Sequence, residues 1–408
     1  MYREILTLET AFNEVLPARK LNAAPGKALL EAAAAWSEKI REFSKHCGPA
    51  ELTAGQISEG SRLAHRPLFL CGVHRSGTTL LRDLLDGHPA LTVLPSEGSF
   101  LTNFAAQLRV MPVAERETFL LTRWLRRLAN PINQPPYWSL GKSTATSSPY
   151  LDFARTFSAW HRFAEQHFSA IPIWPHLALV LAYATCSRKP DGGLTASYWV
   201  DKTPTMEKYT APLWRQLPAA KFIQMVRSPQ AVLLSRKRME PGLHLKTCLR
   251  DMKLSYQAAI KQPVQHKDGY LVVHYESLCS NPISEMARIT RFLGIDPHPS
   301  LLIPTVAGEP AHTNSSFSVD LPAGTILDIP RSPVTGLSPR EQEVLSAFLS
   351  GPATALGYPL RPLERTGALF TRLRFELEQR LFNKISATLK PPGNGRIDEP
   401  GSVQHNPL

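Results

Sequence analysis

Residues 67–87 read PLFLCGVHRSGTTLLRDLLDG, and this stretch limits the possible folds more than any other. A short apolar run bounded by Pro67 and Gly72 predicts a buried strand. Its far end predicts a helix that stops at Gly87, with His88-Pro89 beyond it. The loop between them is spaced Gly-x4-Gly, from Gly72 to Gly77. The layout recurs: ALTVL (90–94) is a second candidate strand, YWVDKTP (198–204) is strand then turn, and YLVVHYE (270–276) repeats that. KFIQMVRSP (221–229) is an apolar run that ends in a polar turn before the helix-like QAVLLSRKR. Strands alternating with longer helical segments predict an α/β fold, a parallel sheet flanked by helices.

The rest of the chain arranges itself around that core. Residues 1–63 predict an N-terminal helical segment, rich in good helix formers over 28–43. Residues 101–190 predict helices broken by Pro-rich connectors, an insertion placed to shape a cleft. GLSPREQEVLSAFL (336–349) predicts a helix with Ser338 as N-cap, Pro339 in its first position and Glu341 at capping-box spacing. Residues 361–390 hold an amphipathic helix with Leu369, Phe370, Leu373, Leu377, Leu381, Phe382 and Ile385 on one stripe. That stripe suits packing on the domain or on a second copy in a homodimer, with a membrane surface as the other occupant. Residues 391–408 read as a disordered tail.

Composition excludes several classes. At 408 residues, 43% apolar and 20% charged, the chain has ordinary globular make-up. The longest apolar stretch, Pro172–Cys186, is about 15 residues and contains His176, too short to span a membrane. The N-terminus lacks the basic-then-apolar pattern of a secretory signal. The five cysteines are sparse and unpaired in sequence, which predicts neither a zinc site nor a disulfide framework and fits a cytoplasmic protein. The net charge of +12 calls for an anionic partner: nucleic acid, membrane or a small polyanion.

The Gly72–Gly77 loop between a strand and a helix suits an anion, because backbone N–H groups and the positive helix end converge there. Thr78 stands where a nucleotide triphosphatase has its lysine, so the loop suits a phosphate better than a Mg-bound triphosphate. Arg227 ends a second strand and aims at the same sheet edge, with Ser235 eight residues on. Two anion sockets on one edge ask for a ligand with phosphates at two places.

VHRSGTTLLRDLLDGHP resembles the 5′-phosphosulfate loop of the PAPS-dependent sulfotransferases, and KFIQMVRSPQAVLLS resembles their 3′-phosphate motif. DKTP, VVHYESL, FLGI, NSSF and ALGYP follow in matching order, so the resemblance covers about 67–359. Its flavour is that of the tyrosylprotein type and its bacterial relatives, since the small-molecule type usually has Lys at the position of Arg75. The resemblance implies a P-loop-like fold and sulfuryl transfer from PAPS to a hydroxyl acceptor, releasing PAP, with no metal. Arg75, Ser76, Gly77, Thr78 and Thr79 would hold the 5′-phosphosulfate. Arg227 and Ser235 would hold the 3′-phosphate, Tyr275 would contact the nucleotide, and Ser315 or Ser316 would lie close to the donor. Lys202 would meet the bridging or sulfuryl oxygens, and Glu97 would serve as base, with Asp201 as runner-up. The acceptor class stays open among small molecules, carbohydrates and tyrosine side chains.

Two competing readings are a P-loop kinase-like enzyme and a non-catalytic, basic polyanion-binding protein. The first lacks GK[ST] and an obvious Walker-B aspartate. The second expects a basic stripe with interleaved aromatics, whereas the cations here are scattered, so nucleic acid is not an expected partner.

Overall fold

A computed structural model describes residues 1–15, 26–129, 138–189, 192–240, 242–311, 322–326 and 336–388, with side chains as far as 378. Ser315, Ser316 and the expected tail lie outside the described residues. The chain divides into two compact units, Met1–Arg227 with Lys261–Ser332, and Ser228–Ile260 with Pro333–Leu408.

The first unit opens on helices α1 (Tyr2–Val15), α2 (Lys27–Cys47) and α3 (Ala54–Ala64). Then come β1 (Pro67–Cys71), α4 (Thr78–Asp86) and β2 (Leu91–Glu97). A π-helical turn (Phe100–Phe104) leads into α5 (Ala105–Val110), α6 (Val113–Ala129), α7 (Pro149–Phe168) and α8 (Trp174–Cys186). β3 (Tyr198–Lys202), α9 (Thr210–Gln216) and β4 (Lys221–Val226) follow. After α10 (Pro229–Met239) and α11 (Leu245–Gln265), the chain returns as β5 (Tyr270–His274), α12 (Tyr275–Ser280) and α13 (Pro282–Leu293).

The five strands form one parallel sheet in the order β2-β3-β1-β4-β5. β1 is its centre, pairing Leu70 with Lys202 on one side and with Ile223 on the other. Alternation sorts the side chains into two cores. Phe69, Trp199 and Phe222 face one core, shared with residues of α1, α2, α6, α7 and α8. Leu68, Leu70, Val200, Ile223 and Val273 face the other, shared with α4 and α13. Both faces are covered, which is why these strands read as unbroken apolar runs.

Trp36 of α2 is fully buried against Phe12, Trp138 and Tyr150, with ring centroids 5.8, 5.5 and 5.1 Å away. Trp36→Ala is expected to cost about 3–5 kcal/mol, read as a lower denaturant midpoint.

In the second unit, α14 (Pro339–Ala355) begins on the expected capping box: Ser338 Oγ accepts from Glu341 N and the Glu341 carboxylate from Ser338 N. α15 (Arg365–Thr388) packs on α14 through Phe375, whose ring lies 5.6 Å from that of Phe348. The apolar stripe is 57–68% exposed at Leu369, Phe370, Leu373 and Leu377, so the described residues of this chain do not cover it. The buried positions, Thr371 and Phe375, share a different face of the helix. No helix among the described residues is long and apolar enough to cross a membrane.

Candidate active site

β1 and its neighbour β4 lead the chain to opposite edges of the sheet, β1 to β2 and β4 to β5, and such a switch point is where open α/β sheets bind ligands. The loop that leaves it alternates unusual backbone conformations: Gly72 has φ 126°, Arg75 φ 73° and Gly77 φ 100°. A left-handed arginine costs about 1–2 kcal/mol, and such alternation gathers backbone N–H groups into an anion-binding nest. Glycine is required at both ends. A Cβ on Gly72 would sit 2.3 Å from Met225 O, and one on Gly77 would sit 2.1 Å from the Tyr275 ring. Gly77 is the N-cap of α4, so the helix's positive end opens on the loop. Thr78 is its first residue, Thr79 is half-buried, and Ser76 is buried with no hydrogen-bond partner for Oγ among the described residues. These features suit a bound oxyanion.

Arg227 follows β4 and is half-buried. Its Nη1 donates to Arg75 O at 3.1 Å, and its guanidinium stacks 4.3 Å from the centroid of the Tyr275 ring. Tyr275, the first residue of α12, is buried against Gly77, so it backs both sockets. Burial pushes its phenol well above its ordinary value. Ser235 lies on α10, nearly buried, in the second unit.

Glu97 and Lys202 meet at the ends of β2 and β3, where they pair in register. Lys202 Nζ lies 2.5 Å from Glu97 Oε1. Lys202 is 4% exposed and Glu97 is 41% exposed. Burial lowers the Lys202 pKa even against the pull of Glu97. At Glu97 burial acts to raise the pKa, but Lys202, then His74 and Arg127, outweigh it and hold the carboxyl at about 2. Glu97 does not cap the following helical turn: Ser99 takes the N-cap position, at φ 53°.

Asp201 is enclosed, at 0% exposure. Its Oδ1 accepts from Gly98 N and Thr203 Oγ1, each at 3.0 Å, which makes it a structural acceptor. His88 is the turn residue expected: Nδ1 accepts from Ala90 N at 3.1 Å and Nε2 lies 2.8 Å from Asp296 O.

Several residues were not anticipated. Glu207 is buried and its Oε2 accepts from Gly72 N at 2.9 Å, anchoring the loop. Arg127 of α6 donates to the carbonyls of Glu97 and Gly98 and stacks on Phe104 and Trp124. Arg82 donates to Pro95 O at 3.0 Å and pairs with Asp83; burial raises the Asp83 carboxyl to about 7 against that pairing. Among the described residues no group of acids, histidines and cysteines is placed to hold a metal ion.

The profile of the Sulfotransferase family matches residues 67–299, more than half of the chain. Protein-tyrosine sulfotransferase 1 of Danio rerio is 28% identical over 56% of this chain and 53% of its own length. Protein-tyrosine sulfotransferase 2 of Gallus gallus is 27% identical over 56% of this chain and 51% of its own. The chain thus spans about half the length of the curated relatives it matches. Among solved structures, the sulfotransferase domain from the curacin biosynthetic pathway is 19% identical, covering 72% of this chain and 99% of that one, with a TM-score of 0.41.

Proposed function

Because the chain belongs to the sulfotransferase family, we propose that it moves a sulfuryl group from PAPS to a hydroxyl acceptor by in-line displacement and releases PAP. The observation that carries this reading is the Glu97–Lys202 pair, 2.5 Å apart, with Lys202 on β3, the neighbour of the strand that leads into the anion loop. Sulfuryl transfer spreads charge over the equatorial and leaving oxygens, much as phosphoryl transfer does. Catalysis then needs fixed donors aimed at those oxygens. Arg75 and the loop N–H groups suit the leaving phosphate, and Lys202 suits the bridging or sulfuryl oxygens. Glu97 receives the acceptor's proton. As Lys202 turns its charge towards the sulfuryl oxygens, its hold on Glu97 weakens, and the carboxylate becomes a better base when it is needed.

The names of the two relatives favour a tyrosine hydroxyl as acceptor. Asp201 is an unsuitable base because it is enclosed and already accepts two hydrogen bonds.

The test is binding of PAP against ATP. PAP is expected to bind and ATP to bind far more weakly; binding of ATP alone would overturn the proposal. Arg227→Ala removes a charged partner of the 3′-phosphate. It is expected to weaken PAP roughly 10- to 100-fold by calorimetry, with far-UV circular dichroism unchanged. Equal affinity in a folded variant would contradict the assignment.

A further inference from the structure

His176 lies in the first turn of α8, followed from Leu177 to Ala184 by buried residues that are all apolar or aromatic. It is 2% exposed, among Phe100, Trp124 and Trp199, with ring centroids 5.8, 6.3 and 5.8 Å away. Its Nε2 lies 3.0 Å from Asp201 Oδ2. The two atoms are close but not aligned as a hydrogen bond, and neither has another partner among the described residues. A slight turn of the ring would align an Nε2–H with that oxygen. Leaving a buried carboxylate oxygen unpaired is costly, so the pairing has work to do.

What lies on the other side of Asp201 shows the work. β3 alternates, so Asp201 faces the core that holds His176, while Lys202 faces the opposite one, towards Arg82 and Asp83. The segment Glu97–Ser99 crosses the end of the strand and touches both. Glu97 reaches Lys202, Gly98 N donates to Asp201 Oδ1, and Ser99 N donates to Thr203 Oγ1 at 2.8 Å. Gly98 is pressed against the carboxylate: a Cβ there would lie 2.2 Å from Asp201 Oδ2. Arg127 holds the carbonyls of the same two residues.

We propose that His176 and Asp201 form a positioning pair that fixes the backbone at Gly98 and so sets the Glu97 carboxylate against Lys202. His176 donates to Oδ2, which leaves Oδ1 turned to Gly98 N and Thr203. Neither residue touches the reacting atoms. The inference rests on the sulfuryl-transfer reading for its catalytic consequence but not for its structural one.

The test compares His176→Leu with His176→Gln, whose amide N–H can replace the imidazole donor. Two readouts are taken: sulfation of an acidic, tyrosine-containing peptide by PAPS, and hydrogen exchange of the peptide segment spanning 96–104. His176→Leu is expected to lower kcat about 10- to 100-fold through misplacement of Glu97, with PAP affinity within about twofold of wild type and faster exchange at 96–104. His176→Gln is expected to restore both. Wild-type kcat and exchange in His176→Leu would overturn the proposal. So would a loss that glutamine fails to rescue, since that makes His176 a space-filler, or a parallel loss of PAP affinity. If the wild-type protein sulfates no phenol, the functional reading falls, while the exchange comparison still decides the positioning role.

Discussion

Lys202→Met is expected to lower kcat by about 10²- to 10³-fold, the usual loss when one fixed donor to a developing oxyanion is removed. Methionine keeps the length and apolar stem, so the 4% exposed site stays filled. What goes is the charge proposed to meet the sulfuryl oxygens. PAP binding should change much less than kcat, because the desulfated product lacks those oxygens; stopped-flow turnover beside calorimetry separates the two. The variant also frees Glu97. In the wild type, Lys202 leads the cations that hold this carboxyl at about 2, against an ordinary value of 4.5. The pair's contribution to stability is therefore complete above 4.5 and is lost as pH falls towards 2. Lys202→Met should lose that acid-side dependence, and Glu97 should titrate closer to its ordinary range. A wild-type kcat in the variant would remove Lys202 from the chemistry.

The sheet was legible because each strand is a short apolar run closed by a turn, and burial on both faces demands that pattern. β2 shows the limit. ALTVL marked its start, but the strand runs on to Glu97 through Pro95. β2 is an edge strand, so a proline without an N–H is tolerated there, and Arg82 takes up the Pro95 carbonyl. Candidate site residues could be picked out where they lie in one motif, as at Gly72–Thr79, or at a strand end, as at Arg227 and Lys202. The groups that hold them could not. Arg127 acts on backbone carbonyls about 30 residues before it in the chain, and Glu207 acts on a backbone N–H 135 residues away. Backbone partners carry no sequence signature. On α15 periodicity marks an apolar face without saying what covers it.

Glu97→Gln is expected to lower kcat by about 10²- to 10⁴-fold, the range for loss of a positioned general base. Glutamine keeps the shape and a hydrogen bond to Lys202, so the loop and PAP affinity should be untouched. The low pKa looks unsuited to a base, since a carboxyl held at about 2 binds protons weakly. The cause of that value resolves the conflict. Lys202 supplies the largest lowering influence; in the proposed reaction it is also the residue that the sulfuryl oxygens draw away, so basicity rises along the reaction coordinate. Acceptor pKa then provides the decisive measurement. For a series of substituted phenols, the wild type should depend weakly on phenol pKa, because proton removal assists attack. Glu97→Gln should depend steeply on it, with acidic phenols recovering much of the lost rate. Equal slopes in the two proteins would mean that Glu97 holds Lys202 in place and takes no proton.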